Sequence, residues 1–475
     1  MPTNVLFVAA EMAPLVKVGG LGDITGALPR MLRRIGLDVR VALPYYKAID
    51  LPKRSVRRVA GLPDGAALWR ADIDGVPVYL IEHAAFKRKE IYADDDGERF
   101  VAFCDAVLAA APALGWQPDL LHLHDWHPGF LAARLAGGIE HPWAALPRVC
   151  TIHNLGFPGR FSAAFAKAHR IDRRVLKAPR GVRPRLPYSA LAQSILHADL
   201  VSTVSPTYAR EIVTPKLGGK LTPLLHRLGD RLSGILNGID TESLDPATDP
   251  HLPASFDATH LDGRIENKRG LQRAFGLPVD DATPAVGMVT RLFWQKGADI
   301  AAKAVEQLLS KRDFQLIVLG QGDQTNERVM LDLAKRFPER VAVRIAFDAA
   351  LGQLIYGGSD LFLMPSRYEP CGLGQMIAMR YGSVPVVRRT GGLADSVEAY
   401  DPAGRRGTGF AFDRPTASAL RGCLSAAFDL YEDRRAWRAL QRRAMARDSS
   451  WGRAAKQYRD LYRRAARVHK TAPVR

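Results

Sequence analysis

A glutamate, a cysteine and two glycines stand between an apolar run and a stretch with helical periodicity in the second half of the chain. The pattern predicts a strand at residues 360–364, a loop around Glu369 and a helix at residues 372–381. Amide groups at a helix start lack intrahelical partners and favour an anion, and a neighbouring carboxylate accepts hydrogen bonds from hydroxyl groups. The stretch therefore fits a ligand that carries both phosphate and hydroxyls, such as a nucleotide sugar. An ordinary loop with a solvated glutamate is the alternative.

Cationic side chains follow another predicted strand of the same half. Arg291 and Lys296 lie between the strand at residues 285–289 and the helix at residues 297–309. Two cations at one sheet edge can neutralise a diphosphate. The turn at Thr390-Gly391 has the same context, and its glycines let backbone amides approach a ligand. The alternatives are a solvated cation pair and a routine turn.

A glycine-rich loop connects the first predicted strand, at residues 5–10, to the helix at residues 23–35. Its sequence from Lys17 to Asp23 is KVGGLGD. It matches neither the GxxxxGK[ST] phosphate loop nor the GxGxxG dinucleotide fingerprint. Glycines still allow close backbone approach, and Lys17 supplies a positive charge.

Polar side chains also follow three further strands of the first half. Asp125, His153 and Asn237 each come directly after an apolar run. The carboxyl ends of parallel strands meet in one crevice, so we expect these groups to converge there. The histidines at 122, 124 and 127 raise the possibility of zinc, but the usual ligand spacing is missing. A polar sugar pocket or packed core histidines are favoured over metal.

Composition limits the class of protein. The chain has 475 residues, 47% hydrophobic content and a formal net charge of +18, which favours two domains and anionic ligands. The sequence lacks the basic stripe with interleaved aromatic residues that is typical of a nucleic-acid-binding protein. It also lacks an apolar run long enough for a membrane helix, and residues 1–13 lack signal-peptide features. The four cysteines are scattered and predicted to be free thiols. We expect a cytoplasmic protein that binds neither nucleic acid nor membrane.

Alternation of strands and helices stops once and then resumes. Residues 240–266 are rich in Pro, Asp, Thr and His, which is typical of a linker. The βα pattern beyond them predicts a parallel α/β domain. Residues 420–445 are predicted to form a helix, and the basic segment 451–468 a last one that packs back on the first domain.

These features together resemble bacterial glycogen synthase and plant starch synthase, over roughly residues 4–460. The resemblance implies an α/β fold with two Rossmann-like domains, of the GT-B type of glycosyltransferase, facing across a cleft. The implied organisation is an acceptor-side domain at 1–240, a linker at 241–266, a nucleotide-sugar-binding domain at 267–448 and a C-terminal helix at 449–475. The resemblance rests on seven ordered motifs: KVGGLGD (17–23), HLHDWH (122–127), TIHN (151–154), GILNGID (234–240), Arg291 with QKG (295–297), SRYEPCGLGQ (366–375) and RTGGL (389–393).

The resemblance also implies roles for individual residues. Arg291 and Lys296 grip the diphosphate and stabilise negative charge on the departing nucleotide, while Glu369 holds glucose hydroxyls. His153 assists by a hydrogen bond to the sugar and is not assigned as a general base. The implied catalytic set is Glu369, Arg291, Lys296, His153 and Asp125. The implied substrate-binding set is Lys17, Gly19, Gly20, Asp23, Tyr92, Asn237, Cys371, Gly372, Leu373, Gly374, Thr390 and Gly391.

The implied reaction transfers glucose from ADP-glucose to the 4-hydroxyl at the non-reducing end of glycogen or a malto-oligosaccharide, with retention of configuration. A double displacement needs a carboxylate pair about 5 Å apart, and the sequence identifies none, so front-face attack is favoured. No metal or other cofactor is expected. The alternatives are a related transferase with another nucleotide sugar or a small acceptor, and a glucan-binding or nucleic-acid-binding protein that kept the fold. Oligomeric state stays open.

One position departs from the family pattern. Gly374 stands where members often carry Thr or Asn, so a side-chain hydrogen bond at the phosphate end is missing. We expect Gly374→Thr to preserve activity and tighten nucleotide binding.

Overall fold

The computed structural model describes residues 3–179, 181, 186–403 and 405–471. Contacts divide the chain into a first unit, Met1–Asn237 with Trp451–Arg475, and a second unit, Gly238–Ser450. Phe256 and Leu261, inside the predicted linker, are buried in a core of the second unit. The sequence-based domain limits at 240, 266 and 448 stay predictions.

The strands are β1 (Asn4–Val8), β2 (Asp38–Pro44), β3 (Val56–Gly61), β4 (Ala67–Ile73), β5 (Val76–Glu82), β6 (Leu120–His124), β7 (Arg148–Ile152), β8 (Leu200–Thr203), β9 (Leu232–Gly234), β10 (Ala285–Val289), β11 (Gln315–Leu319), β12 (Val341–Arg344), β13 (Leu361–Met364), β14 (Val384–Arg388) and β15 (Phe410–Phe412). The helices are α1 (Gly20–Arg34), α2 (Asp96–Ala109), α3 (Gly129–Ala136), α4 (Ala163–Ala168), α5 (Ala190–Leu196), α6 (Pro206–Ile212), α7 (Pro215–Gly218), α8 (Thr222–Leu228), α9 (Gly263–Ala274), α10 (Ala298–Leu309), α11 (Gln324–Arg336), α12 (Ala349–Gly358), α13 (Gly374–Arg380), α14 (Gly391–Ser396), α15 (Ala417–Glu432), α16 (Arg434–Met445) and α17 (Trp451–Thr471).

The sheet of the first unit has the order β3-β4-β5-β2-β1-β6-β7-β8-β9. Its pairs are parallel except β3 with β4 and β4 with β5. The strand order reverses beside β1, whose neighbours are β2 and β6, and ligands of open α/β sheets bind at such a reversal. The loops after β1 and β6 carry the glycine-rich segment and Asp125.

The sheet of the second unit has the order β12-β11-β10-β13-β14-β15 and is parallel throughout. Its strand order reverses between β10 and β13, so the loop with Arg291 and Lys296 lies beside the loop with Glu369. Apolar cores cover the two faces of the sheet, which is why β10, β11 and β13 are continuous apolar runs. The predicted α/β class with two Rossmann-like domains is confirmed.

The C-terminal helix belongs to the first unit. There α17 packs against α1, and the Tyr462 hydroxyl lies 2.9 Å from His122 Nδ1. Tyr458 and Tyr462 are fully buried, so the apolar stripe of this basic helix completes the core of that unit.

Three helix predictions differ from the structure. The helix predicted at 23–35 begins earlier, since α1 starts at Gly20 and its first turn includes the last residues of the glycine-rich segment. The single helix predicted at 420–445 is wrong, because α15 ends before Asp433 and α16 begins after it. The Asp433 carboxylate accepts hydrogen bonds from the amides of Arg435 and Ala436, which starts a new helix there. Likewise α13 begins at Gly374, since Gly372 has a left-handed φ of +72°. No helix within the described ranges is long and apolar enough to cross a membrane.

Candidate functional site

The loops after β10 and β13 meet in a buried ion pair. Lys296 Nζ lies 2.6 Å from Glu369 Oε2, and Ser366 Oγ donates to the same oxygen at 3.0 Å. The Lys296 and Glu369 side chains are only 15% and 7% exposed. Because the pair neutralises both charges, each can stay buried. Glu369 Oε1 has no protein donor among the described residues, so it is available to accept from ligand hydroxyls.

Further contacts join these two loops. The Arg367 amide donates to the carbonyl of Gln295 at 2.8 Å, and Gln295 Nε2 donates to the carbonyl of Tyr368 at 3.1 Å. The Arg367 guanidinium forms a two-pronged pair with Asp299 at 2.8 and 2.6 Å and lies 4.6 Å from the centre of the Trp294 ring. The loops thus form one braced surface around the ion pair.

Arg291 differs from Lys296 in its surroundings. Its side chain is exposed, and its guanidinium carbon lies 5.7 Å from the centre of the Phe293 ring. Within the part of the chain that the structure describes, no carboxylate pairs with it. Arg291 is therefore a cation free to meet an anionic ligand beside Glu369.

The turn at Thr390-Gly391 packs directly beneath Glu369. Gly391 has a φ of +43°, and a Cβ there would lie 1.9 Å from the carbonyl oxygen of Glu369. The Gly392 amide donates to the carbonyls of Glu369 and Pro370 at 3.2 Å. Gly391 therefore lets the backbone of Glu369 pack against this turn, because a larger residue would clash with it. This role is separate from the predicted approach of a ligand to the same turn.

The start of α13 is held by Gln375. Its Nε2 donates to the carbonyls of Cys371 and Gly372 at 3.2 and 2.9 Å and to Ser396 Oγ at 2.9 Å. These contacts fix residues 371–373, the segment predicted to meet a phosphate.

Gly374 faces the protein interior. A Cβ there would lie 3.2 Å from both the Phe362 ring and the Tyr356 hydroxyl, and both residues belong to a core of the second unit. An added side chain would thus crowd this core, which argues against the expected gain in nucleotide affinity from threonine.

Asp125 and His153 adjoin at the sheet edge of the first unit. His124 pairs in register with Thr151, which brings the residues after both strands together. Asp125 Oδ1 accepts from the amides of His153 and Asn154 at 2.6 and 3.3 Å. Burial raises the pKa of the Asp125 carboxyl to about 7, although these amide hydrogen bonds oppose the rise.

His122, His124 and His153 are buried at this edge, and each makes a hydrogen bond. His153 Nε2 lies 2.9 Å from His124 Nδ1, and His122 Nε2 lies 2.6 Å from Thr151 Oγ1. Burial lowers the pKa of His153 to about 3, so its ring is neutral at physiological pH. His153 Nδ1 is buried and has no hydrogen-bond partner in the described residues, so it is the ring atom left for a ligand.

Metal binding has no support from the arrangement of these side chains. Among the residues that the structure describes, no three His, Cys, Asp or Glu side chains could hold a metal ion together. His122 and His124 are packed core histidines, one of the interpretations left open by the sequence. The expectation that no cofactor is needed stays a prediction.

The glycine-rich loop after β1 presents a second ion pair. Lys17 Nζ lies 2.7 Å from Asp23 Oδ1, with both side chains partly exposed. Burial raises the pKa of Asp23, and the nearby lysine partly offsets this rise. A Cβ on Gly19 or Gly20 would meet nothing within 4 Å, so these glycines leave open space around the loop.

Tyr92 and Asn237 complete the predicted set in the first unit. The Tyr92 hydroxyl donates to Glu11 Oε1 at 2.5 Å, and its ring stacks on His127 with centroids 5.5 Å apart. Asn237 is buried, and its Oδ1 has no partner in the described residues. Asn237 therefore keeps an acceptor for a ligand hydroxyl.

Three residues with important contacts were missed from the sequence: Glu11, Ser366 and Gln375. Glu11 is the first charged residue after the apolar run of β1, the same signal that identified Asp125. Ser366 and Gln375 belong to the motif at 366–375, but no role was assigned to either: Ser366 meets Glu369 three residues along the chain, and only folding brings Gln375 to Ser396, 21 residues away.

The fold and these loops define a class of protein. Two sheets of the Rossmann type, with a cation–carboxylate pair at the strand reversal of the second, suit a glycosyltransferase that binds a nucleotide sugar there. Family profiles agree: the starch synthase catalytic domain matches residues 4–227, and glycosyl transferases group 1 matches residues 273–443.

Curated relatives specify the family. The chain is 43% identical to glycogen synthase of Gloeobacter violaceus over 466 residues, which cover 97% of this chain and 98% of the relative. It is 45% identical to glycogen synthase of Anaeromyxobacter dehalogenans strain 2CP-C over 479 residues, which cover 98% of this chain and 100% of the relative. The chain belongs to the glycogen synthase family of glycosyltransferases.

Solved structures agree with this assignment. The catalytic domain of starch synthase IV from Arabidopsis thaliana, bound to ADP and acarbose, matches with a TM-score of 0.90 and 36% identity over 98% of this chain and 100% of that chain. Sucrose-phosphate synthase from Thermosynechococcus elongatus matches with a TM-score of 0.63 at 18% identity over 98% of this chain and 99% of that chain, which indicates a shared fold only.

Proposed function

We propose that this protein is a glycogen synthase, which transfers glucose from ADP-glucose to the non-reducing 4-hydroxyl of an α-1,4-glucan with retention of configuration. The observation that carries the proposal is the buried pair of Lys296 and Glu369, which joins the loops after β10 and β13, with the cation Arg291 exposed on the first of these loops.

The second unit is assigned to the donor. Arg291 and Lys296 supply two positive charges for a diphosphate, and Glu369 Oε1 accepts from glucose hydroxyls. A diphosphate that approaches Lys296 competes with Glu369 for its ammonium group, while sugar hydroxyls supply new donors to the carboxylate. The arrangement therefore favours a ligand that carries both groups over a simple phosphate.

We assign glucan binding to the first unit, which also carries the glycine-rich loop with Lys17. The neutral His153 ring and Asn237 Oδ1, which has no partner among the described residues, are short-range hydrogen-bonding groups, which suit an uncharged sugar. Lys17 adds a cation for the donor phosphates. Asp125 orients the His153 backbone through its amide.

In the proposed reaction, the bond from glucose C1 to the distal phosphate oxygen breaks and a bond from C1 to the acceptor 4-oxygen forms on the same face. The proton of the acceptor hydroxyl passes to the departing phosphate, so ADP leaves with it and charge balances. Arg291 and Lys296 stabilise the negative charge that develops on the leaving group. The reaction requires no metal and no covalent sugar intermediate on the protein.

The proposal extends to the setting of the enzyme. Its partners are ADP-glucose and glycogen or malto-oligosaccharide, and it acts in the cytoplasm without nucleic acid or membrane. Support comes from the bacterial glycogen synthase relatives, and the site chemistry is that of a neutral glucan and a diphosphate.

The test incubates the protein with ADP-glucose and glycogen and follows ADP release and glucan growth. Parallel reactions with UDP-glucose and GDP-glucose, and with maltose as acceptor, identify the donor base and acceptor size. No ADP release together with no chain growth would reject the proposal. ADP-glucose bound without turnover would favour a binding protein that kept the fold.

A further inference from the structure

Glu11 is a buried carboxylate that follows β1 and accepts three hydrogen bonds. Its Oε2 accepts from the amides of Val18 and Gly19 at 2.7 and 3.0 Å, and its Oε1 accepts from the Tyr92 hydroxyl at 2.5 Å. Only 3% of Glu11 is exposed. Hydrogen bonds to a charged acceptor are among the stronger ones in proteins, so this carboxylate holds three separate groups together.

The glycine-rich loop has little else to hold its centre. Val18 is 47% exposed, and Gly19 and Gly20 have open space around them. Backbone bonds fix the two ends of the loop, between Met12 and Val16 and between Ala13 and Gly22. Between Lys17 and Leu21, Glu11 is the side chain that binds the loop amides in the described structure, while Thr25 Oγ1 donates to the Leu21 carbonyl and the Gly22 amide donates to the Gly19 carbonyl.

The pattern of donors around the loop is selective. Glu11 occupies the amides of Val18 and Gly19, whereas the amides of Gly20 and Leu21, the first two residues of α1, have no acceptor in the described residues. Because Glu11 already accepts from the amides of Val18 and Gly19, the amides left for an added anion are those of Gly20 and Leu21, together with the charge of Lys17.

We propose that Glu11 is a positioning residue: it holds the glycine-rich loop so that Lys17 and the amides of Gly20 and Leu21 are set to bind the phosphates of the sugar nucleotide. The identity of the ligand rests on the proposed function; the restraint on the loop does not. Through Tyr92, which stacks on His127, Glu11 also ties the loop to the histidine edge of the same unit.

Three substitutions separate this role from a general loss of fold. Glu11→Ala removes both acceptor oxygens and with them all three hydrogen bonds. Glu11→Asp keeps the charge but is one methylene shorter, so it cannot reach the loop amides and Tyr92 together. Glu11→Gln keeps one oxygen for the two amides and offers its NH₂ to the Tyr92 oxygen, and it serves as the conservative rescue.

The first measurement is hydrogen exchange of the full-length protein without ligand. Glu11→Ala and Glu11→Asp are expected to exchange at least 10-fold faster at Val18 and Gly19, while β1 and β6 keep their protection. Unchanged exchange at Val18 and Gly19 in both variants would overturn the proposal. If Glu11→Ala loses protection throughout the unit, Glu11→Asp decides the question.

The second measurement is steady-state kinetics. The KM for ADP-glucose is expected to rise at least 10-fold in Glu11→Ala and Glu11→Asp and less than about 3-fold in Glu11→Gln, with the KM for glycogen unchanged. A faster-exchanging loop with an unchanged KM for ADP-glucose would overturn the positioning role. If the parent protein has no activity, the proposed function fails, and the exchange experiment still tests the restraint.

Discussion

Lys296 Nζ lies 2.6 Å from Glu369 Oε2, and the two residues are 73 positions apart in the chain. The pair joins the loops after β10 and β13 at the reversal of strand order in the second unit. It combines a structural role with a proposed role in binding, and these two roles can be separated by substitution.

Lys296→Met is expected to lower kcat by about 10²–10³-fold, because it removes a charge that stabilises the leaving group. It is also expected to destabilise the fold by about 3–5 kcal/mol, since Glu369 is left buried without its partner. The double variant Lys296→Met with Glu369→Leu should regain most of the stability but no activity. Thermal unfolding and ADP release measure the two effects. Recovery of activity in the double variant would contradict the assignment.

Arg291→Ala is expected to lower kcat/KM by at least 10²-fold. Stability should change by no more than about 0.5 kcal/mol, because the side chain is exposed and lacks a carboxylate partner in the described structure. The matched control is Arg344→Ala, an exposed arginine whose guanidinium carbon lies 5.0 Å from the centre of the Phe275 ring, much as Arg291 lies near Phe293. Equal activity in the two variants would exclude Arg291 from the site.

Asp125→Asn is expected to change how stability depends on pH. Burial raises the pKa of Asp125 to about 7 from the ordinary 3.8, so the folded state binds this proton more tightly than the unfolded chain. The stability contributed by protonated Asp125 is therefore fully present below pH 3.8 and is lost as the pH rises through 7. Asparagine retains an oxygen for the amides of His153 and Asn154 without the charge.

Relative to the parent, Asp125→Asn should thus gain about 3 kcal/mol of stability between pH 5 and pH 8, at about 1.4 kcal/mol per pH unit up to pH 7. Urea unfolding of both proteins across this range measures the difference. A difference that does not vary with pH would show that Asp125 is already ionised throughout.

Gly391→Ala is expected to displace Glu369, because a Cβ at residue 391 would lie 1.9 Å from its carbonyl oxygen. We expect a loss of stability of about 1–3 kcal/mol and a fall in kcat/KM for ADP-glucose. Gly422→Ala is the control: it lies in α15 with nothing within 4 Å and should gain up to about 1 kcal/mol. Full activity of Gly391→Ala would show that the turn does not position Glu369.

Gly374→Thr is now expected to lower stability by about 1–3 kcal/mol, since the added atoms press on Phe362 and Tyr356. Calorimetric titration with ADP should show no tighter binding than in the parent. Tighter binding would restore the expectation drawn from the sequence and show that the core accommodates the side chain.

Much of the fold and of the site was predictable because the signals are local. Continuous apolar runs identify strands buried on both faces, and the polar residues that follow them identify strand ends. Parallel topology then places the strand ends of each sheet at one edge, so the neighbourhood of Asp125 and His153 in the first unit, and that of Lys296 and Glu369 in the second, could be predicted without coordinates; the functional roles of these residues stay predictions. The break between α15 and α16 was missed because a cap at Asp433 depends on backbone geometry, whereas the helical periodicity continues across it.

The sequence by itself determined the α/β class and the chemistry available at the strand ends, since both follow from periodicity and residue type over short distances. Only the tertiary structure decided which of those groups meet. It paired Lys296 with Glu369, placed Gly391 beneath the Glu369 backbone, and brought Glu11 to Tyr92, 81 residues away. Such contacts depend on the sheet order and on packing between distant segments, which leave no periodic trace in the chain.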